Sequence, residues 1–252
     1  MALVKLIVSD LDGTLLRSDS VISDHTKSVL ARCRAAGVKI VYATGRGGSA
    51  DRVAPAELFD GRIIQNGAVA VAGDDVIYKR LIPYETARPV LLALDRRGLR
   101  TASENGGMHY SNFTVTDEWP RVTDFKTVDF SKHSIDAEKL DVIVHSPEDA
   151  VFVEKNLPED LYLTVSRAGL GQIMHRDATK AKALAELARV WGIDRSEIVA
   201  FGDDLNDRDM LEFAGTGIAM GNAHEEIKTH ADIVCLNNDE DGVAEWLLRN
   251  AL

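Results

Sequence analysis

Residues 4–15 have the sequence VKLIVSDLDGTL, a short apolar run that ends in two aspartates and a glycine. An apolar run of this length predicts a buried strand that delivers Asp10 at its carboxyl end. Open α/β sheets bind their ligands in a crevice at that end of the strands. Aspartate and glycine are also common in ordinary turns, so the stretch alone predicts either an active site or a plain turn.

The same pattern, an apolar strand followed directly by a small polar loop, occurs twice more. Residues 38–43 (VKIVYA) lead into Thr44, Gly45 and Arg46, and residues 198–201 (IVAF) lead into the loop GDDLND at 202–207. Lys180 begins a long helical pattern that ends at Gly192. We therefore expect the two loops and the lysine to share the crevice that begins at Asp10.

In order and spacing these stretches resemble the four motifs of the haloacid dehalogenase superfamily, in particular its Cof-type sugar phosphatases. The resemblance covers the chain almost from end to end, with Ala181 where a glycine is expected after the motif lysine. It implies an α/β fold in which a Rossmann-like core with a parallel sheet carries an inserted α/β cap.

The resemblance also implies roles for individual residues. The residue matching Asp10 attacks phosphorus and forms an aspartyl-phosphate. The residue matching Asp12 protonates the leaving alcohol and then activates water, while its backbone carbonyl holds the metal. Asp203 completes the metal site, and Asp207 supports it directly or through water. The role of Asp204 stays open.

Charge gives an independent reason to expect a cation beside these five aspartates. Two unit charges about 4 Å apart repel by about 4 kcal/mol at an effective dielectric near 20, so the cluster cannot stay ionised alone. Because the ligand atoms are all oxygens, the expected ion is Mg²⁺, which accepts a few carboxylates together with a substrate phosphate. The alternative is a set of solvent-exposed acids at loop tips.

Four residues are candidates for binding the phosphoryl group. Thr44 can donate its hydroxyl, and the amides around Gly45 can form an anion nest beside a helix start. Lys180 can contribute a mobile point charge, and Asn206 can hydrogen-bond phosphate. The structural alternatives are a helix cap for Thr44 and Asn206 and an ordinary surface lysine for Lys180.

Four further residues are possible substrate contacts. Asn66 lies in an Asn-Gly-Ala turn that resembles the family's turn facing the active site, although Asn-Gly is also a common hairpin signal. Arg46 is the second cation of the motifs. His109 and His175 could face the substrate from the cap, or could fill ordinary polar roles.

The domain prediction follows from where the motifs lie. Residues 82–175 contain none of them, and their short strands alternating with two helical patterns suggest a separate sheet layer. We therefore expect a catalytic core of residues 1–81 and 176–252, interrupted by a cap of residues 82–175 that determines substrate specificity.

Composition restricts the class of protein. The 252 residues carry a formal net charge of −11, which disfavours nucleic acid and anionic membranes as targets. Two cysteines are too few for a disulfide scaffold, no apolar run approaches a membrane span, and the first residues lack a signal-peptide layout. We expect a cytoplasmic monomer or small homo-oligomer.

Together these features predict a Mg²⁺-dependent phosphatase for a small phosphorylated metabolite, such as a sugar phosphate. The sequence leaves two alternatives open. A phosphomutase or phosphotransferase would have the same core, and a non-catalytic metabolite-binding protein could keep this core without its activity.

Overall fold

The computed structural model describes residues 3–120, 122–166 and 169–252, so the expectation about the start of the chain at Met1 and Ala2 lies outside them. Two compact units are present, Met1–Lys79 with Thr179–Leu252, and Arg80–Ala178. The first unit is therefore built from both ends of the chain. No helix in the described residues is long and apolar enough to cross a membrane.

The chain enters the first unit with five strands and one α-helix: β1 (Leu6–Ser9), α1 (Asp24–Ala35), β2 (Lys39–Ala43), β3 (Gly61–Ile64), β4 (Val69–Ala72) and β5 (Asp75–Lys79). The second unit follows with α2 (Tyr84–Arg96), β6 (Thr101–Asn105), β7 (Met108–Ser111), β8 (Phe125–Thr127), β9 (Lys139–Ile143), α3 (Pro147–Lys155), β10 (Leu161–Val165) and β11 (Leu170–His175). The chain returns to the first unit with α4 (Lys180–Trp191), β12 (Ile198–Gly202), α5 (Arg208–Phe213), β13 (Thr216–Ala219), α6 (Glu225–His230), β14 (Ile233–Val234) and α7 (Gly242–Asn250).

The sheet of the first unit has the strand order β14-β13-β12-β1-β2-β3-β4-β5. The pairings from β14 to β3 are parallel, and β4 and β5 extend the sheet as an antiparallel hairpin. Every residue of β1 and β12 is buried, as expected for central parallel strands covered on both faces. The predicted α/β fold with a parallel-sheet core is confirmed.

The sequence predicts Ser23 as the N-cap of a first helix and Lys180 at the start of a later one, and both helices begin there. The side chain of Ser23 accepts a hydrogen bond from the amide of Thr26 and so caps α1. Thr179 caps α4 in the same way, and Gly192 ends that helix in the left-handed conformation that glycine adopts without strain.

The sequence predicts a short helix within residues 46–58 that is interrupted near Pro55. The structure has a pair of 3₁₀ helices there, Gly48–Arg52 and Ala56–Leu58, with Pro55 between them. Proline has no amide hydrogen to continue a helix, which explains the break. The sequence also predicts residues 76–78 as the hairpin partner of the third strand. This prediction is wrong, because residues 76–78 belong to β5, which pairs with β4, and β4 lies between β5 and β3.

The second unit has a sheet of its own, in the order β10-β11-β9-β6-β7-β8. Its pairings are antiparallel except for the parallel pair β7 and β8. The sequence predicts that the apolar stripe of α2 is core, and Val90, Leu91 and Leu94 are buried in one cluster with Leu140 and Ile173.

Gly67 gives a test of how closely the turn between β3 and β4 approaches α4. A Cβ atom at Gly67 (φ +100) would lie 2.2 Å from the carbonyl carbon of Thr179, whereas one at Gly73 (φ +58) would meet nothing within 4 Å. We expect Gly73→Ala to lower the free energy of unfolding by about 1 kcal/mol, the cost of a left-handed alanine. Gly67→Ala should cost about 1–3 kcal/mol more, because the backbone must shift.

Urea unfolding of the two variants measures this difference. Gly73→Ala is the matched control, since it carries the same substitution at positive φ without the steric contact. Equal losses in both variants would contradict the tight contact between the turn and α4.

Candidate active site

Three strands of the first unit end at one edge of the sheet, each with a motif residue directly after it. Asp10 follows β1, Thr44 follows β2 and Asp203 follows β12. Because β1 pairs in parallel with both β2 and β12, the carboxyl ends of all three strands meet. The amide of Asp10 donates to the carbonyl of Phe201 at 3.0 Å and ties the first loop to β12.

A buried lysine joins two of the aspartates at this edge. Lys180 Nζ lies 2.6 Å from Asp10 Oδ1 and 2.5 Å from Asp207 Oδ1, and its side chain is 0% exposed. Lys180 is the first residue of α4, so the capped helix start brings its ammonium to the strand ends. The expected mobile charge is thus a fixed one, held between two carboxylates.

The pKa values show the electrostatic state of this cluster. Burial raises the pKa of Asp10 well above its ordinary value, although the charge of Lys180 opposes the shift. Burial alone would lower the pKa of Lys180, but Asp10 and Asp207 together raise it. The pKa of Asp203 is raised to about 7, first by burial and then by the negative charges of Asp207 and Asp204. Asp10 and Asp203 therefore lack full charge compensation.

Thr14 and Gly13 position Asp203. The hydroxyl of Thr14 donates to Asp203 Oδ1 at 2.6 Å, and a Cβ atom at Gly13 (φ +81) would lie 2.3 Å from Asp203 Oδ2. Glycine is therefore required at position 13, because any side chain there would displace the carboxylate. The sequence predicts no role for Thr14, although its place directly after the motif glycine is a signal that could identify it.

Asp207 is fully buried, and both of its carboxylate oxygens accept hydrogen bonds. Oδ1 accepts from Lys180, and Oδ2 accepts from the amides of Asp203 and Asp204 at 3.0 and 3.1 Å. The side chain of Asp204 is exposed and accepts from the amide of Leu205 at 2.8 Å. Asp207 thus shapes the loop that carries Asp203.

Asp12 is held by a two-point ion pair with Arg46. Arg46 Nε lies 2.6 Å from Asp12 Oδ2, and Nη2 lies 2.5 Å from Oδ1. The hydroxyl oxygen of Thr44 accepts from the amide of Arg46 at 3.1 Å, which fixes the backbone of this loop. Thr44 does not cap the following 3₁₀ helix, whose N-cap is Gly47.

The Asn-Gly turn lies next to the candidate phosphate-binding residues. It joins β3 to β4 as a hairpin turn, and the amide of Asn66 donates to the carbonyl of Thr44 at 3.0 Å. Asn206 Nδ2 donates to Asn66 Oδ1 at 2.9 Å, and a Cβ atom at Gly45 would lie 2.9 Å from the same oxygen. The turn therefore packs against the candidate phosphate-binding residues.

Gln65, the residue before this turn, is a feature that sequence reasoning missed. It is fully buried in a left-handed conformation (φ 51), and neither polar atom of its side chain has a hydrogen-bond partner among the described residues. No sequence signal marks it, since a glutamine before Asn-Gly is unremarkable by composition.

The two candidate histidines belong to the second unit. His109 Nε2 lies 3.9 Å from Glu104 Oε1, and His175 Nδ1 accepts from the amide of Asp177 at 3.0 Å. Their proposed contact with substrate stays a prediction.

Comparison with known proteins agrees with the motifs. A family model described as haloacid dehalogenase-like hydrolase matches residues 7–247. The chain belongs to this family. A putative phosphatase of Haemophilus influenzae is 31% identical over 95% of both chains. The 5-amino-6-(5-phospho-D-ribitylamino)uracil phosphatase YitU of Bacillus subtilis is 29% identical over 96% of both chains.

Solved structures of haloacid dehalogenase-like proteins have the same fold. A haloacid dehalogenase-like hydrolase from Bacteroides thetaiotaomicron has a TM-score of 0.86 at 28% identity and covers 98% of this chain and 99% of its own. The subclass IIB sugar phosphatase BT4131 has a TM-score of 0.81 at 28% identity and covers 97% and 98%. The predicted resemblance and the predicted phosphatase class are confirmed.

The buried lysine allows a direct test of the charge cluster. We expect Lys180→Met to lower the free energy of unfolding by about 3–5 kcal/mol, because it leaves two buried carboxylates without their cation. Lys155→Met, at an exposed position of α3, is the matched control and should stay within about 0.5 kcal/mol of wild type. Urea denaturation measures both, and similar losses in the two variants would contradict the pairing of Lys180 with Asp10 and Asp207.

Proposed function

We propose that this protein is a Mg²⁺-dependent phosphatase that hydrolyses a small phosphorylated metabolite through an aspartyl-phosphate on Asp10. The observation that carries the proposal is the position of Asp10 at the end of β1, with its Oδ1 held by the buried ammonium of Lys180. An oriented carboxylate beside a fixed positive charge is suited to attack a phosphate ester, because phosphoryl transfer depends on positioning and charge neutralisation.

In the first step Asp10 Oδ2 forms a bond to phosphorus as the bond to the leaving oxygen breaks. Lys180 keeps the attacking carboxylate in place and balances the negative charge that gathers on the phosphoryl group. The hydroxyl of Thr44 and the amide of Gly45 donate to phosphoryl oxygens. Asn206, in the loop after β12, is a further donor to the same group and is held by its hydrogen bond to Asn66 Oδ1.

Asp12 acts as the general acid in the first step and as the general base in the second. In its acid form it protonates the leaving oxygen, and the resulting carboxylate then takes a proton from the water that attacks the aspartyl-phosphate. Hydrolysis of that intermediate returns the Asp10 carboxylate and releases phosphate. Because Arg46 contacts both oxygens of Asp12, it has to release at least one of them for this cycle.

The described residues fit a hard divalent cation. Carboxylate oxygens of Asp10, Asp203 and Asp207 lie within 4.8 Å of one another. Burial raises the pKa values of Asp10 and Asp203, so an added positive charge would stabilise both carboxylates in their ionised form. Asp10, Asp203 and the backbone carbonyl of Asp12 would hold the ion, while Asp207, whose oxygens are already engaged, supports the loop. A bound Mg²⁺ would neutralise charge on the carboxylates and on the substrate phosphate.

The printed names of two relatives support a proposal about the substrate class. One is named for a phosphorylated ribityl compound and another as a sugar phosphatase. We infer that the substrate here is likewise a sugar phosphate or a similar phosphomonoester. We also infer that the inserted unit acts as a cap that recognises the leaving group, a role separate from the chemistry in the first unit. A cytoplasmic location and a monomeric or small oligomeric state stay predictions.

Asp10→Asn tests the proposed nucleophile. The variant keeps the volume of the side chain but removes its nucleophilic carboxylate, so turnover of p-nitrophenyl phosphate should fall by about 10³-fold or more. Asp74→Asn, at an exposed position in the β4–β5 turn, makes the same change in charge and should retain full activity.

Circular dichroism and thermal unfolding confirm that both variants are folded. Activity of folded Asp10→Asn within tenfold of wild type would exclude the aspartyl-phosphate route. Product analysis should show inorganic phosphate, whereas transfer to a sugar hydroxyl would indicate a mutase or transferase.

Removal of metal tests the proposed cofactor. Treatment with a chelator should abolish hydrolysis, and added Mg²⁺ should restore it, because clustered carboxylates cannot accept a phosphate dianion without a cation. Zn²⁺ should restore it poorly, since these candidate ligands include no nitrogen or sulfur. Full activity of metal-free protein in excess chelator would contradict the assignment.

A further inference from the structure

The loop that carries Asp12 is tied to a loop near the end of the chain. Residues 12–20, which we call the Asp12 loop, lie between β1 and α1, and residues 237–241, the C-terminal loop, lie between β14 and α7. Both loops belong to the first unit. The hydrogen-bonded pairs that join them are 221 to 224 positions apart in the chain, so no local sequence pattern predicts them.

Two aspartates of the C-terminal loop hold side chains and backbone of the Asp12 loop. Arg17 Nε donates to Asp241 Oδ1 at 3.0 Å, and Arg17 Nη2 donates to Asp241 Oδ2 at 2.5 Å. The amide and the hydroxyl of Ser18 donate to the two carboxylate oxygens of Asp239 at 2.8 and 2.7 Å. Each aspartate thus makes a two-point contact, which fixes orientation as well as distance.

Two asparagines extend this connection to the peptide next to Asp12. Asn238 Nδ2 donates to the carbonyl of Leu16 at 2.9 Å, and the backbone amide of Asn238 donates to Asn222 Oδ1 at 2.9 Å. Asn222 Nδ2 in turn donates to the carbonyl of Gly13 at 2.8 Å. The C-terminal loop is therefore connected to the backbone directly after Asp12.

The position of the Asp12 carboxylate depends on this backbone. The side chain of Asp12 is 52% exposed, and among the described residues its carboxylate is bonded to Arg46 alone. A cleft of about 470 Å³ lies where the two loops meet and is lined by residues of both, among them Ser20 and Asn237. Polar pairs beside an open cleft hold the loop there, so removing a pair leaves no apolar packing in its place.

Stability does not explain the conformation of Asp241. Its backbone is left-handed (φ 54), which is unfavourable for residues other than glycine. Asp241 also occupies the N-cap position of α7, yet its side chain makes no capping hydrogen bond there. The carboxylate instead binds Arg17 and accepts from the hydroxyl of Thr26 at 3.2 Å. Since the Arg17 side chain is 39% exposed, its ion pair contributes little to stability.

We propose that the C-terminal loop positions the carboxylate of Asp12 for proton transfer to the leaving oxygen, with Asp241 and Arg17 as its main positioning residues. This inference rests on the proposed function, in which Asp12 is the general acid. Proton transfer requires the acid within hydrogen-bond reach of the leaving oxygen. A freed Asp12 loop therefore weakens acid catalysis, while Asp10, held by Lys180, still attacks phosphorus.

Two phosphate esters separate acid catalysis from phosphoryl transfer. p-Nitrophenolate leaves as a stable anion and needs no proton, whereas phenolate is a stronger base and depends on the acid. The ratio of kcat/KM for phenyl phosphate to kcat/KM for p-nitrophenyl phosphate therefore reports the position of Asp12. Because kcat/KM covers the steps up to the first irreversible one, later hydrolysis of the intermediate does not enter this ratio.

The variants are made in the full-length protein. Arg17→Met and Asp241→Asn, which remove the two-point ion pair, should each lower the ratio at least tenfold and change kcat/KM for p-nitrophenyl phosphate less than threefold. Asp12→Asn is the reference for loss of the acid and should lower the ratio at least as much. Arg249→Met, which breaks an exposed ion pair with Glu245 on α7, is the matched control and should leave the ratio unchanged.

A double variant distinguishes positioning from general damage to the site. The acid is already absent in Asp12→Asn, so adding Asp241→Asn should not lower the ratio further, whereas independent effects would multiply. Hydrogen–deuterium exchange gives a structural readout. Amides of residues 13–18 should exchange faster in Asp241→Asn than in wild type or Arg249→Met.

Equal losses on the two esters, an unchanged ratio, a further loss in the double variant or unchanged exchange would overturn the positioning role and leave the phosphatase function intact. A wild type that hydrolyses neither ester would instead overturn the proposed function and this inference with it. Leu15 and Leu16 anchor the loop in the apolar core, so we expect folded variants, and thermal unfolding checks this. Arg17→Met carries the test if Asp241→Asn is unfolded.

Discussion

The buried ammonium of Lys180 is the interaction on which the active-site edge depends. It contacts Asp10, which is 170 positions away in the chain, and Asp207, which lies on the loop after β12. A buried charge without a partner would cost several kcal/mol, so the start of α4 must lie where β1 and β12 end. This requirement ties the two halves of the first unit together on either side of the inserted unit.

Close backbone approach around that ammonium explains the glycines of the motifs. Gly67 lets the β3–β4 turn meet Thr179, and Gly13 leaves room for the carboxylate of Asp203. Gly202 does the same for Asp207, since a Cβ atom there would lie 2.5 Å from the Cβ of Asp207. Glycine is therefore needed at these positions because a neighbouring backbone or carboxylate lies where a Cβ atom would be.

The two units use buried charge differently. In the first unit burial raises the pKa of Asp203 to about 7, and one lysine cannot balance the surrounding carboxylates, which is the electrostatic basis for a divalent cation. In the second unit Lys139 lies between Glu104 and Asp141 and supplies that positive charge itself. The same residue types thus leave room for an added cation in the first unit, whereas in the second unit a lysine of the chain is the cation.

The sequence by itself determined the fold class, the first unit's assembly from both chain ends, and the strand ends at which Asp10, Thr44 and Asp203 lie. The strand ends follow from hydrophobic periodicity and from the rule that parallel strands end at one edge. The fold class and the two-ended assembly follow from the order and spacing of the motifs and from their resemblance to a known family. Only the tertiary structure decided the pairings, such as Arg46 with Asp12, Asn206 with Asn66, and the cluster around Lys139. Periodicity says which face of a strand a residue occupies. It contains no distance between side chains that are far apart in the chain, and hydrogen bonds and charge compensation depend on those distances.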